Sequence, residues 1–234
     1  MFSFERFPEV KKFLNEELPI ILSESDRGAL LLCASYIDDA LTSFFDALKP
    51  VDLSNKKKKE LNNGFGPFGS FASKLDIALG CRLLPENLIE AIHQIRKARN
   101  SAAHKAQNFP LEDTWKYIRK CFEQLGDGFK ESLAILADER SLYPFIVKAL
   151  SLVDPDCPDN PIFGSEAEAR ESLKDIPAIK QQIEELRFRQ QLGIATGAIY
   201  GFLLIYQVEY TRGLGSRSII DFIKTAPTSH HTTG

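Results

Sequence analysis

The chain carries 234 residues with a formal net charge of −3, and 44% of its residues are hydrophobic against 26% charged. That balance excludes a disordered polymer and leaves enough length for one substantial core, with or without a smaller appendage. The slightly acidic whole also excludes bulk attraction to nucleic acid, so any affinity for phosphate has to come from local basic clusters.

The opening residues, Met1-Phe2-Ser3-Phe4-Glu5-Arg6-Phe7-Pro8, lack a basic stretch followed by an apolar one, so no secretory leader is expected and a cytoplasmic location is. Helical rhythm begins soon after. Leu30, Ala34, Ile37, Leu41, Phe44 and Leu48 recur at spacings of four and three, which predicts one apolar face of a helix over Asp26–Leu48. Pro50 and four consecutive lysines (56–59) form a connector. Gly64-Phe65-Gly66-Pro67-Phe68-Gly69 is a turn-rich loop whose three phenylalanine neighbours, Phe65, Phe68 and Phe71, are expected to pack inward. Ser70 is placed to cap a helix running to about Gly80.

Pro85 and Glu86 open the next helix, with Leu88, Ile92, Ile95 and Arg99 on one side and Arg96, Asn100 and His104 on another. Asn108, Pro110, Glu112 and Asp113 then signal a further start. Its apolar positions, Leu111, Trp115, Ile118, Phe122, Leu125, Phe129, Leu133 and Leu136, predict one long helix that Gly126 and Gly128 would kink. Three prolines in Asp154-Pro155-Asp156-Cys157-Pro158-Asp159-Asn160-Pro161 forbid helix and suggest a domain boundary. The predicted organisation is a helical domain over 1–153, a Pro-rich linker over 154–165 and a C-terminal helical extension over 166–234. No alternating pattern argues for a sheet, so the fold class is all-α.

Within the extension, a charged stretch (176–191) leads to fifteen residues without a charge, from Leu192 through to Tyr206. Gly193, Gly197 and Gly201 recur every fourth position, a spacing that lets two helices approach closely. The run is short of the roughly 20 residues that span a bilayer, so a buried or dimerising helix is the expectation and membrane contact the alternative. Cys33, Cys81, Cys121 and Cys157 form no ligand spacing and are expected to be reduced. The adjacent His230 and His231 have no further ligands nearby, so neither a metal nor a cofactor is expected.

The chemistry concentrates in Arg96-Lys97-Ala98-Arg99-Asn100-Ser101-Ala102-Ala103-His104-Lys105, inside a window (91–111) without Asp or Glu. A guanidinium neutralises phosphate oxygens in two-pronged fashion, and an imidazole moves protons near neutral pH. Ser25-Asp26-Arg27-Gly28-Ala29-Leu30, Ile37-Asp38-Asp39-Ala40-Leu41 and Gly66-Pro67-Phe68-Gly69-Ser70-Phe71-Ala72-Ser73-Lys74-Leu75-Asp76, followed by Ile95-Arg96-Lys97-Ala98-Arg99-Asn100 and Ala103-His104, resemble the bacterial family named after the mannitol operon repressor, MltR, over roughly residues 20–135. The Arg-Asn-x-x-Ala-His element also resembles the signature of the HEPN superfamily. That resemblance implies a HEPN-like helical bundle, dimerisation and, in active branches, RNA cleavage through an Arg-x4–6-His motif.

The catalytic candidates are therefore Arg99, Asn100 and His104, with Arg96, Lys97 and Lys105 as RNA contacts. Arg99 and His104 stand about 140° apart around an ideal helix, so a two-fold dimer facing two copies of the segment is one way to bring them together. The expectation is an RNA-binding, metal-independent endoribonuclease of toxin or defence type, acting as a homodimer. The alternative is a non-catalytic MltR-like transcriptional regulator working through a protein partner. A plainer reading makes Arg99 and His104 members of a structural network with Asp38, Asp39 or Asp76. The lysines at 56–59 are either a solvated linker or extra contacts to RNA.

Overall fold

Two long apolar helices, one near each end of the chain, organise the molecule. The computed structural model describes residues 7–104, 109, 111–126, 128–154 and 157–215. The first helices are α1 (Pro8–Lys12) and α2 (Leu18–Ser23), joined by a π-helical turn (Phe13–Glu17). The wide turn has a local cause. Pro19 has no N–H to offer and its ring crowds the carbonyl of Asn15, so the ladder slips by one residue there and Leu18 N–H donates to Phe13 O.

The predicted helix over Asp26–Leu48 is present as α3, started by Ser25, whose hydroxyl accepts from Gly28 N–H at 3.2 Å. Leu30, Ala34, Ile37, Leu41 and Phe44 are buried, as the spacing requires, and Leu48 is half-buried. The lysine run forms a short helix, α4 (Asn55–Asn62), where a connector was expected. Ser70 caps α5 (Phe71–Gly80) in a capping box with Ser73. The glycine loop before it is a tight connection: a Cβ on Gly69 would stand 1.7 Å from Asn63 O, so only glycine fits.

Two expectations are corrected. The single helix anticipated from Leu111 to beyond Leu136 is three elements: a 3-10 turn (Leu111–Thr114), α7 (Trp115–Gln124) and α8 (Phe129–Leu150). Gly126 and Gly128 take φ of 131° and 73°, backbone that glycine alone adopts freely, and the chain breaks instead of kinking. The register restarts after the break, so Ala137 is buried and Leu136 is 40% exposed. The start signal at Asn108 and Pro110 lies outside the described residues. The second correction is Phe65, which is fully exposed, whereas Phe68 stacks on Phe45 with ring centroids 4.6 Å apart.

The Pro-rich segment contributes a small antiparallel ribbon, β1 (Val153–Asp154) with β2 (Cys157–Pro161), and α9 (Glu166–Leu173) follows. The architecture is otherwise all-α among the described residues. The charged stretch and the apolar run that follows it form one continuous helix, α10 (Pro177–Gly215). Leu192, Ala195, Ile199 and Leu203 of α10 are buried in the same core as Leu30, Ile37 and Phe44 of α3. The helix beyond the proline segment thus completes the main core. A smaller cluster (Leu142, Ile146, Ala149 and Ala169) packs α8 on α9, and Arg187 clamps Asp138 in two-pronged fashion at 3.1 and 2.8 Å.

The Gly-x3-Gly spacing has an intramolecular use. A Cβ on Gly193 would lie 2.2 Å from Leu18 Cδ1, and one on Gly197 3.1 Å from Phe13 Cδ1, so the N-terminal π turn rests directly on the α10 backbone. A Gly193→Leu substitution overpacks this contact and is expected to cost about 1–3 kcal/mol. Urea denaturation checks it: the midpoint falls with an unchanged slope, and an unshifted midpoint contradicts the packing.

Candidate functional site

The helix that carries the candidate residues, α6, spans Glu86–His104. Its core face is Leu88, Ala91, Ile92, Ile95, Ala98 and Ala102, all buried, and its alanines let α3 and α7 approach closely. Leu88, Ile92 and Ile95 were expected on this face. Arg99 was expected beside them, but it is exposed, and Ala98 and Ala102 extend the face in its place.

On the outer side, His93, Lys97, Asn100 and His104 follow one another at spacings of four, three and four. On an ideal helix they fall within a wedge of about 60°, with Arg96 alongside. Arg99 projects about 100° away from Asn100. Its guanidinium nevertheless swings back, and Nη1 donates to Asn100 Oδ1 at 3.2 Å. The structure therefore brings Arg99 and Asn100 together. His104, the last residue of α6, is exposed, and no hydrogen bond or ion pair joins it to Arg99 among the described residues. Lys105 lies outside the described residues.

None of the carboxylates weighed as structural partners pairs with Arg99 or His104. Asp38 is paired with Lys74, a buried lysine that donates to Asp38 Oδ1 at 2.7 Å, to Asp38 O at 3.3 Å and to Thr42 Oγ1 at 2.6 Å. All three ammonium protons are satisfied, which is what makes the burial of a lysine tolerable. Asp39 and Asp76 are exposed, and neither pairs with Arg99 or His104. Lys97 reaches Glu90 at 3.5 Å, and Gln94 also donates to that carboxylate. Burial pushes the Glu90 carboxyl up, but these two donors outweigh it and hold the group below the usual carboxylate range. Lys97 is thus partly neutralised, whereas neither Arg96 nor Arg99 makes an ion pair among the described residues. Arg96 Nε is itself buried without a hydrogen-bond partner.

His93 escaped the reading from sequence. It borders an open cavity of about 730 Å³ with Leu79, Glu86, Asn87, Glu90 and Gln124. Its position eleven residues before His104 on the same face was the available signal. Burial first, and the neighbouring Arg96 charge second, push its pKa below the ordinary value, against the opposite pull of Glu90 and Asp76. Eleven residues of helix separate the two imidazoles by about 16 Å, too far to share one phosphate. His93 is therefore not part of the Arg99–Asn100–His104 group.

No cluster of three or more His, Cys, Asp or Glu suited to a metal ion occurs among the described residues. Cys33 and Cys121 are buried and Cys81 is exposed. Burial pushes the Cys33 thiol up to about 12 and that of Cys121 higher still, so neither is a thiolate near neutral pH. No protein-family model, curated protein or solved structure matches the chain.

Because the folded pKa of His93 is depressed, the unfolded chain takes up a proton first as pH falls. Its contribution to stability is present above about pH 6.5 and is lost as pH falls through the depressed folded value. His93→Gln is expected to flatten the decline in urea midpoint between neutral and mildly acidic pH. Identical pH profiles for the wild type and the variant would contradict this account.

Proposed function

We propose that the protein is a HEPN-type RNA-binding protein that cleaves RNA without a metal, with Arg99, Asn100 and His104 as its catalytic group. The observation that carries the reading is that Arg99 and His104 are both exposed, neither pairs with a carboxylate among the described residues, and Asn100 holds the guanidinium. The motif resemblance, not a family match, supplies the reaction class.

In the proposed step the RNA 2′-oxygen attacks the adjacent phosphorus. The P–O5′ bond breaks as the 2′-oxygen bonds to phosphorus: either His104 takes the 2′-hydroxyl proton while water protonates the departing 5′-oxygen, or protonated His104 donates to that oxygen while water takes the 2′-hydroxyl proton. Arg99 balances charge on the phosphoryl oxygens, and Asn100 fixes the direction of the guanidinium. The products are a 2′,3′-cyclic phosphate and a 5′-hydroxyl end. Arg96 and Lys97 contribute phosphate attraction along the same stripe, and Lys105 is assigned there by its position in the sequence.

The gap between Arg99 and His104 within one chain makes the site composite. A homodimer related by a two-fold axis sets Arg99 of one copy against His104 of the other. The same gap favours a second reading, a non-catalytic MltR-like regulator that binds a protein partner through this basic edge.

Incubation with mixed RNA in EDTA separates the two. His104→Ala is expected to lower cleavage by about 10²–10⁴-fold, with no change in thermal midpoint because the side chain is exposed. Mixed Arg99→Ala and His104→Ala chains are expected to regain activity, since one of the two sites in each heterodimer is then intact. Wild type and His104→Ala proteins that cleave equally would end the nuclease reading. A silent wild type that retains a transcription factor on purification supports the regulator.

A further inference from the structure

We propose that the end of the molecule formed by the α3–α4 turn and the glycine loop docks onto an anionic lipid bilayer, a surface separate from the Arg99–His104 stripe. Two apolar tips project there without any cover: Val51 is 97% exposed and Phe65 fully so. Single exposed apolar residues are ordinary on proteins. These two, however, leave from one knot. Lys49 Nζ donates to Asn62 Oδ1 at 2.6 Å and sits 5.1 Å from the Phe68 ring centroid, tying the turn before Val51 to the loop that carries Phe65. Gly66 and Gly69 let that loop close tightly on the end of α4, where a Cβ on either would collide with backbone oxygens at 2.3 and 1.7 Å. The N–H groups of Phe65, Gly66 and Phe68 donate to Asn63 Oδ1, Asn63 O and Leu61 O at 3.1, 2.8 and 3.0 Å, which ties the loop down while Phe65 stays exposed.

Between the two tips in the chain lies α4 with its four lysines. Residues 46–68 hold five lysines against three acids, Asp46, Asp52 and Glu60. Lys49 is paired with Asp46, and Lys57 with Glu60 at 3.1 Å. Lys56 and Lys59 are exposed and make no ion pair among the described residues. At the same knot, with Lys49 in its wall, opens a mainly apolar groove of about 750 Å³ lined by Phe45, Leu48, Leu61 and Phe68, with Glu209 the one acid among its described lining residues. The surface thus joins unpaired cations to projecting apolar groups, the combination that anchors a protein at the boundary between headgroups and acyl chains. RNA would use the lysines and stack on a phenylalanine, but an aliphatic tip such as Val51 adds nothing to phosphate or base recognition. A bilayer takes all of these groups at once.

The test is flotation of the full chain with vesicles of phosphatidylcholine alone or with about 30% phosphatidylserine, alongside fluorescence anisotropy on single-stranded RNA. Capture is expected on the anionic vesicles only. Lys56→Gln and Lys59→Gln are each expected to weaken it roughly fivefold, and Phe65→Ser and Val51→Ser roughly tenfold each. All four side chains lie in solvent, so the thermal midpoint stays unchanged and loss of capture is not loss of fold. His104→Ala leaves capture intact, which separates this surface from the nuclease reading. No capture on anionic vesicles, capture indifferent to the Phe65 and Val51 variants, or RNA binding through the lysines without vesicle capture would each overturn the proposal.

Discussion

The burial of the α10 apolar segment against α3 is the contact on which the rest of the molecule depends. Each fully buried Leu or Ile contributes roughly 1.5–3 kcal/mol, and α10 supplies Leu192, Ile199 and Leu203 to the core, each almost entirely removed from solvent. The same helix receives the N-terminal segment on its glycines and α8 on its flank. Trp115 of α7 meets Phe188 edge-on at 4.6 Å, and Tyr210 donates to the Arg82 carbonyl at 3.1 Å. Arg189 gathers the carbonyls of Leu22 and Glu24 at 2.8 and 2.6 Å, which closes the C-terminal end of α2. One helix therefore touches most of the others, and its apolarity has a sufficient cause in that role.

With α3 and α7 packed along its inner face, α6 is fixed in rotation, and most of its polar residues are forced outward, the buried Gln94 excepted. The basic stripe is a by-product of that constraint as much as of its own residues. Ala91, Ala98 and Ala102 permit close packing, which leaves Arg96, Lys97 and Asn100 along the outer rim. The absence of carboxylates over 91–104 then lets positive charge accumulate along the rim, with Glu90 the nearest acid in sequence to blunt it.

Much of the helical scaffold was legible because its signals are local. Ser70 announces α5 through the hydroxyl that caps it, and the period of Leu30, Ala34, Ile37 and Leu41 gives the buried face of α3, although the Ser25 cap went unread. The break after Gln124 was only half legible, since glycine permits either a kink or a reversal and packing selects between them. Phe65 misled because hydrophobicity predicts burial on average, whereas here Gly66 and Gly69 dictate where the loop points. The proline segment carried a different kind of signal. It marks an interruption between α8 and α9, but the packing of α10 into the main core beyond it had no local signature. At the candidate site, the residues were legible as a motif, the link from Arg99 to Asn100 was not, and His93 was hidden by lying outside the motif.

The interlocking of the two chain ends also bears on synthesis. A ribosome releases the α3 face long before residues 192–203, the segment that covers it, have been made. Until then the N-terminal half holds an open apolar stripe and the π turn has no glycine seat. The polypeptide thus reaches its native packing only after residues 192–203 have emerged, because a nascent chain without them lacks the helix that closes the core.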